Sequence, residues 1–171
     1  TLAILPTGFS TLKTLHAMGS GTGIASGFGQ LARYGLDQPV LSVCGDSTFF
    51  HSALPALVNA VHHKADITLV VLDNSGTAMT GFQPHPGLEV DAQGNSAMKL
   101  DIRSICEAMG ITVQISDPFD FATTQQRLFE LLEIREGVKV LILSQICALS
   151  PQKKHTKPFK MSVDASVCRG R

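Results

Sequence analysis

Residues 40–77 read VLSVCGDSTFFHSALPALVNAVHHKADITLVVLDNSGT, and their pattern decides the fold. The runs Val40 to Cys44 and Ile67 to Leu72 are short, nearly uninterrupted and rich in Val, Leu and Ile, as expected of parallel strands buried on both faces. Between them Ala53, Leu54, Leu57, Val58 and Val61 recur at three- and four-residue spacing, which predicts a helix with one apolar face. Pro55 belongs in the first turn of that helix, where its missing N–H is harmless. A right-handed crossover makes the two strands parallel, so Asp46 and Asn74 emerge at the same, carboxyl edge of the sheet. Neighbouring strands lie about 5 Å apart, and two oxygen-bearing side chains then converge.

Such a pair suits Mg²⁺, which takes oxygen ligands in a near-octahedral shell and is usually held by one or two protein side chains together with phosphate oxygens and water. Asp46 offers a carboxylate, Asn74 an amide oxygen, and the carbonyl of Gly76 is placed to add a third. The helix after Ser47 points its amino end at the same spot, where free N–H groups and the dipole favour an anion. A metal-bridged diphosphate is the expected ligand.

These residues resemble the fingerprint of the thiamine-diphosphate enzymes, Gly-Asp-Gly followed after about 25 to 30 residues by Asn-Asn. Here it stands as Gly45-Asp46-Ser47 and Asp73-Asn74, with Ser for the last Gly and Asp for the first Asn, while both ligand positions are kept. GDSTFFHSALPALVNAV followed by LDNSGTAMTGFQPHPG is most similar to the alpha subunits of the indolepyruvate branch of the 2-oxoacid:ferredoxin oxidoreductase family. The resemblance covers roughly residues 10–150 and is most specific over 45–87. It implies cofactor contacts from Gly45, Asp46, Ser47, Thr48, Asn74, Gly76 and Thr77, with Asp46, Asn74 and the Gly76 carbonyl as the Mg²⁺ ligands. It also implies that Met18 and Gly19 sit at the middle of the cofactor, the Met side chain wedged beneath it, with His16 facing the reacting carbon.

With 171 residues the chain is long enough for a substantial core, and its zero formal charge argues against a nucleic-acid surface. No apolar run reaches the roughly 20 residues that span a membrane, and no charged-then-apolar leader opens the chain. A cytoplasmic protein is expected. The chain opens on Thr1 rather than Met and reads as a piece of a longer one. Cys44, Cys106, Cys147 and Cys168 form no CxxC pair, and the first three read as small buried hydrophobes.

Along the chain, Met18-Gly19-Ser20-Gly21-Thr22-Gly23 leads into a helix over 24–33 whose Gly27 and Gly29 predict close packing on another backbone. His62 and His63 read as surface capping, and His51 lies nearest the diphosphate site. Residues 75–96 carry no periodic pattern and many Gly and Pro, a functional loop by its position, with Gln83 and His85 at a substrate entrance or His85 in a rigid Pro-flanked turn. A helix over 101–109, a strand over 111–115, a helix from Asp117-Pro118 to about Glu136 and a strand over 138–146 complete an alternating order. The fold class is therefore α/β, a doubly wound, mostly parallel sheet with helices on both faces. Residues 151–171 hold six Lys or Arg against one acid, a net of +5 that leaves the first 150 residues at −5. Residues 1–150 are thus the cofactor-binding domain, and 151–171 a basic tail that resembles the lead-in to an iron–sulfur domain.

For a complete enzyme the resemblance implies oxidative decarboxylation of an aryl 2-oxoacid with CoA to an acyl-CoA, electrons leaving through iron–sulfur clusters to ferredoxin. Clusters need several close thiolates, which this chain does not have. No Glu precedes Glu89, so the Glu that activates the aminopyrimidine is expected from a second domain or subunit, in an intact enzyme that is a dimer. The acid and base residues are not assigned. Two alternatives stay open: a non-oxidative thiamine-diphosphate-dependent decarboxylase or carboligase on the same anchor, and a non-catalytic nucleotide- or phosphate-binding module. No P-loop and no GxGxxG after a strand supports the second.

Overall fold

The computed structural model describes residues 17–36, 38–150, 162, 164, 166 and 167. Its elements are α1 (Ser20–Gln30), β1 (Leu41–Gly45), α2 (Asp46–Thr48), a π-helical segment Phe49–Ala53, α3 (Leu54–His62), β2 (Ile67–Asp73), α4 (Ile102–Ala108), β3 (Thr112–Ser116), α5 (Phe121–Glu133) and β4 (Val138–Ser144). The four strands are all parallel, in the order β1-β2-β4-β3. The chain advances from β1 to β2 to β3 and then steps back to β4. Right-handed crossovers accordingly put α3 and α4 on one face of the sheet and α5 on the other.

The core follows that division. On the first face Ala25 of α1, Leu57 and Ala60 of α3, and Ile102 and Cys106 of α4 pack with Leu69, Val71, Val140 and Ile142 of the two central strands. On the second face Leu131 of α5 closes over Val70 and Leu141. The fold is therefore α/β and doubly wound. Burial on both faces holds for β2 and β4 but not for β1, whose Leu41 and Val43 are 43% and 52% exposed while Ser42 and Cys44 are buried. The difference is topological: β1 is an edge strand, and α5 packs on the far side of the sheet over β3 and β4.

Helix boundaries differ in ways that local chemistry explains. Pro55 stands in the first turn of α3, as expected, but the helical run to which α3 belongs already begins at Asp46 and passes through the π turn, where the Leu54 N–H bonds to the carbonyl of Phe49 five residues back. Its buried stripe is Phe49, Ala53, Leu57 and Ala60, so Val58, one residue round from Leu57, faces outward. α1 starts at Ser20 and gives way to a 3-10 turn at Leu31–Tyr34. Asp117 closes a turn by accepting the Phe119 N–H at 2.9 Å, and Asp120 caps α5 by accepting from Thr123 N–H at 3.1 Å. α5 ends at Glu133, where Ile134 turns extended. β4 ends at Ser144: the Gln145 N–H makes the last rung of the ladder to the Asp73 carbonyl, and the Cys147 N–H then leaves the register and bonds to the carbonyl of Asn74. Cys44 and Cys106 are buried, and that burial pushes both thiols up to about 12, whereas Cys147 is only half-buried. His16 and Cys168, with most of the basic tail, lie outside the described residues.

The two α1 glycines have opposite roles. A Cβ at Gly29 would stand 2.6 Å from the Asp66 carbonyl oxygen and 2.5 Å from Ile67, while one at Gly27 would meet nothing within 4 Å. Close backbone approach, expected of both, belongs to Gly29 alone. Gly29→Ala is expected to destabilise the domain by about 1–3 kcal/mol through overpacking, and Gly27→Ala to stabilise it by up to about 1 kcal/mol through helix propensity. Urea unfolding of the two variants checks both signs.

Candidate functional site

β1 and β2 pair up to Gly45 and Leu72, so Asp46 leaves the sheet level with the end of β2. Asp46 is 2% exposed. A buried charge is tolerable only when hydrogen-bonded. Oδ1 accepts the Ser47 N–H at 2.7 Å, and Oδ2 accepts the N–H groups of Asn74 and Gly76, both at 3.2 Å, across the gap between the strands. Ser75, between those two donors, holds a left-handed φ of +62°, an uncommon backbone for a residue with a side chain. Burial by itself raises the Asp46 pKa. His85 and the N–H donors of Ser47 and Gly76 outweigh it and hold the carboxyl below its ordinary value.

The side-chain oxygen of Asn74 is buried without a hydrogen-bond partner among the described residues. A buried amide oxygen left so is costly and fits a site completed by a ligand. The Gly76 carbonyl accepts the Ala78 N–H at 2.8 Å around Thr77, whose φ of −78° and ψ of 70° make an inverse γ-turn, and it keeps a second lone pair. Among the described residues no three His, Cys, Asp or Glu gather as a metal cluster. Carboxylate, amide and carbonyl oxygens instead offer the hard donor set that a small divalent cation accepts.

Around this centre stand the other predicted residues. Gly45 precedes the helix in extended conformation, and Ser47 and Thr48 form its first turn, both half-buried. Gly19 caps α1 with φ +82° and lies so close to the π segment that a Cβ there would fall 2.1 Å from Ser52 Oγ. That hydroxyl donates to the Met18 carbonyl at 3.3 Å, and the Met18 side chain is exposed. Met18-Gly19 is thus seated on the helix that starts at Asp46, through a Ser52 contact that the sequence does not announce. Thr77 and Gln83 pair across the loop, with Gln83 exposed. His51, His62 and His63 are exposed.

His85 turns inward. It is 8% exposed, its ring stacks on Phe50 at 5.8 Å between centroids, and its Nε2 stands 3.1 Å from Asp46 Oδ2, obliquely for a well-formed hydrogen bond. Of the two readings of His85, the structure shows a buried ring in a Pro-flanked turn, set against the Asp46 carboxylate. Its flanking prolines gave a signal for a rigid turn but none for its partner.

A separate cavity of about 680 Å³, lined by Gly29, Arg33, Lys64, Asp66, Arg135 and Glu136, opens at the amino edge of the strands, away from Asp46. Its Asp66 is already paired with the buried Lys139. No helix among the described residues is long and apolar enough to cross a membrane.

Residues 3–142 match the model of the C-terminal TPP binding domain of thiamine pyrophosphate enzymes. The chain belongs to this thiamine pyrophosphate-binding family. As a member of it, the chain is 41% identical over 169 residues to the "Indolepyruvate oxidoreductase subunit IorA" of Methanothermobacter thermautotrophicus, covering 98% of this chain and 26% of that protein. It is 39% identical over 160 residues to the protein of the same name from Thermococcus kodakarensis, covering 87% of this chain and 24% of that one. The chain therefore spans about a quarter of the length of these relatives. Two solved structures share the thiamine pyrophosphate-binding fold. A 2-oxoglutarate:ferredoxin oxidoreductase from Magnetococcus marinus aligns with a TM-score of 0.57 at 18% identity over 76% of this chain and 46% of that chain. Benzoylformate decarboxylase from Polynucleobacter necessarius aligns at 0.56 and 19% over 75% of this chain and 24% of that one.

Asp46→Asn keeps the shape but removes the charge that three backbone N–H groups solvate, and is expected to cost about 2–3 kcal/mol. The depressed Asp46 pKa contributes stability above the pKa of the unfolded chain, which is lost as pH falls through the folded value. Urea unfolding across the acid range should show that loss in the wild type and a flatter profile in the variant.

Proposed function

We propose that this domain anchors thiamine diphosphate through Mg²⁺ held by the Asp46 carboxylate, the Asn74 amide oxygen and the Gly76 carbonyl. The observation that carries the assignment is the partnerless, buried Asn74 Oδ1 beside a buried carboxylate at the carboxyl edge of adjacent parallel strands. Gly45, Ser47, Thr48 and Thr77 would give N–H or hydroxyl contacts to the diphosphate, and Met18 and Gly19 would meet the middle of the cofactor. When bound, the cofactor supplies the carbon nucleophile and electron sink for decarboxylation, and the chain's residues position it.

The complete enzyme is proposed to be a cytoplasmic 2-oxoacid:ferredoxin oxidoreductase that converts an aryl 2-oxoacid such as indolepyruvate, with CoA, to an acyl-CoA, passing electrons through iron–sulfur clusters held outside this chain to ferredoxin. Support comes from relatives that carry the indolepyruvate oxidoreductase name over 98% of this chain. Residues 1–150 would be the cofactor-binding domain and 151–171 the basic connection to a cluster domain. The activating Glu would come from a second domain or subunit of a dimer.

Calorimetric titration of thiamine diphosphate tests the anchor. Binding is expected with Mg²⁺, absent with EDTA, and weakened at least about 100-fold, or roughly 2.7 kcal/mol, in Asp46→Ala. Equal binding in EDTA, or by Asp46→Ala, refutes the assignment. Turnover with 2-oxoacid, CoA, thiamine diphosphate, Mg²⁺ and a redox dye is expected to be absent for this chain alone. Saturable rates would show that no second domain is needed.

A further inference from the structure

The segment between β2 and α4 touches the anchoring carboxylate twice. Its beginning does so through the backbone of Asn74 and Gly76, and its middle through His85. The second contact has a built setting. His85 Nδ1 accepts the Gly87 N–H at 3.1 Å, which fixes the neutral ring as the tautomer that carries its proton on Nε2, the atom facing Asp46. Phe50, in the helical run that starts at Asp46, stacks on the ring, and a Cβ at Gly87 would fall 2.9 Å from both rings. The His85 carbonyl accepts the Leu88 N–H at 2.9 Å, and that of the next residue, Pro86, accepts the Leu100 N–H at 2.8 Å. The imidazole thus sets the middle of the loop against Asp46 at the end of β1, and the backbone of the next residue, Pro86, holds the loop's far end.

The two oxygens of Asp46 divide the work. Oδ2 accepts two backbone N–H groups of the loop and has His85 Nε2 obliquely at 3.1 Å, while Oδ1 has the Ser47 N–H. We propose that His85 is a positioning residue that latches the loop over residues 76–100 against Oδ2 of Asp46, so that loop order and cofactor loading at Asp46 stabilise each other. Fixing Asp46 from either side removes the same rotational freedom, and the second partner to arrive meets an oxygen already in place. The coupling is reciprocal by linkage: whatever factor loop order adds to cofactor affinity, the cofactor adds to loop order. This coupling rests on the proposed cofactor site; the latch itself does not.

The test is hydrogen exchange on the full natural chain, read at the amides of Gly76, Gly87 and Leu88, with and without Mg²⁺ and thiamine diphosphate, beside calorimetry of the cofactor. His85→Ala is compared with His85→Gln, which returns an N–H donor to Asp46, and with Met79→Ala at a 94% exposed loop position. In the wild type the cofactor is expected to slow exchange at all three amides. His85→Ala should exchange there at least about tenfold faster without cofactor, lose the cofactor-induced slowing, and bind the cofactor about 10- to 100-fold more weakly, the range for residues that orient a ligand. His85→Gln should recover Gly76 protection and most of the affinity, and Met79→Ala should match wild type. A His85→Ala protein that matches wild type in exchange overturns the latch. One that loosens the loop with affinity unchanged overturns the coupling. A wild type that takes up no cofactor refutes the functional assignment instead, and the cofactor-free exchange comparison still decides the latch.

Discussion

A carboxylate taken out of water at the end of an edge strand has to be solvated by the protein, and the rest of the site is arranged by that need. Asp46 Oδ2 draws the N–H groups of Asn74 and Gly76 toward β1, which fixes the chain leaving β2 and brings the Asn74 amide oxygen and Gly76 carbonyl into the same neighbourhood. The β1–β2 register sets the distance, and the left-handed Ser75 sets the direction. Remove the carboxylate and three backbone donors lose their acceptor together.

The opposite side of that chain is tied as well. Asp73 accepts the Ser144 hydroxyl and the Gln145 N–H, and the Asn74 carbonyl accepts the Cys147 N–H, so the segment past β4 braces the turn past β2. Strain at Ser75 persists because its surroundings over-determine it. A rigid sheet edge on one side and an irregular, hydrogen-bonded loop on the other is the usual division between scaffold and binding surface.

Much of this was legible in residue order. Two apolar runs, a helical period between them and an oxygen-bearing residue past each strand were enough to place Asp46 beside Asn74. The parts that were not legible share a cause: they depend on contacts between segments distant in sequence. Nothing in Val40 to Cys44 tells an edge strand from a central one, since that follows from where β4 inserts. Asp117-Pro118 reads as the start of a helix, yet Asp117 closes a turn and the cap falls to Asp120. His85 lies 39 positions from Asp46, and only the closure of the loop makes them neighbours.

The π turn at Phe49–Ala53 has a consequence for how the chain tolerates changes in length. A π turn absorbs one residue more than an α turn, so the helix before it and the helix after it keep the phase of an uninterrupted helix one residue shorter. Deleting a single residue from 49–53 would therefore leave Leu57 and Ala60 facing the sheet. It would, however, close the widened coil that carries Phe50 under His85 and Ser52 under Met18-Gly19. The supernumerary residue is thus neutral to the packing of helix on sheet and decisive for how Phe50 and Ser52 are presented.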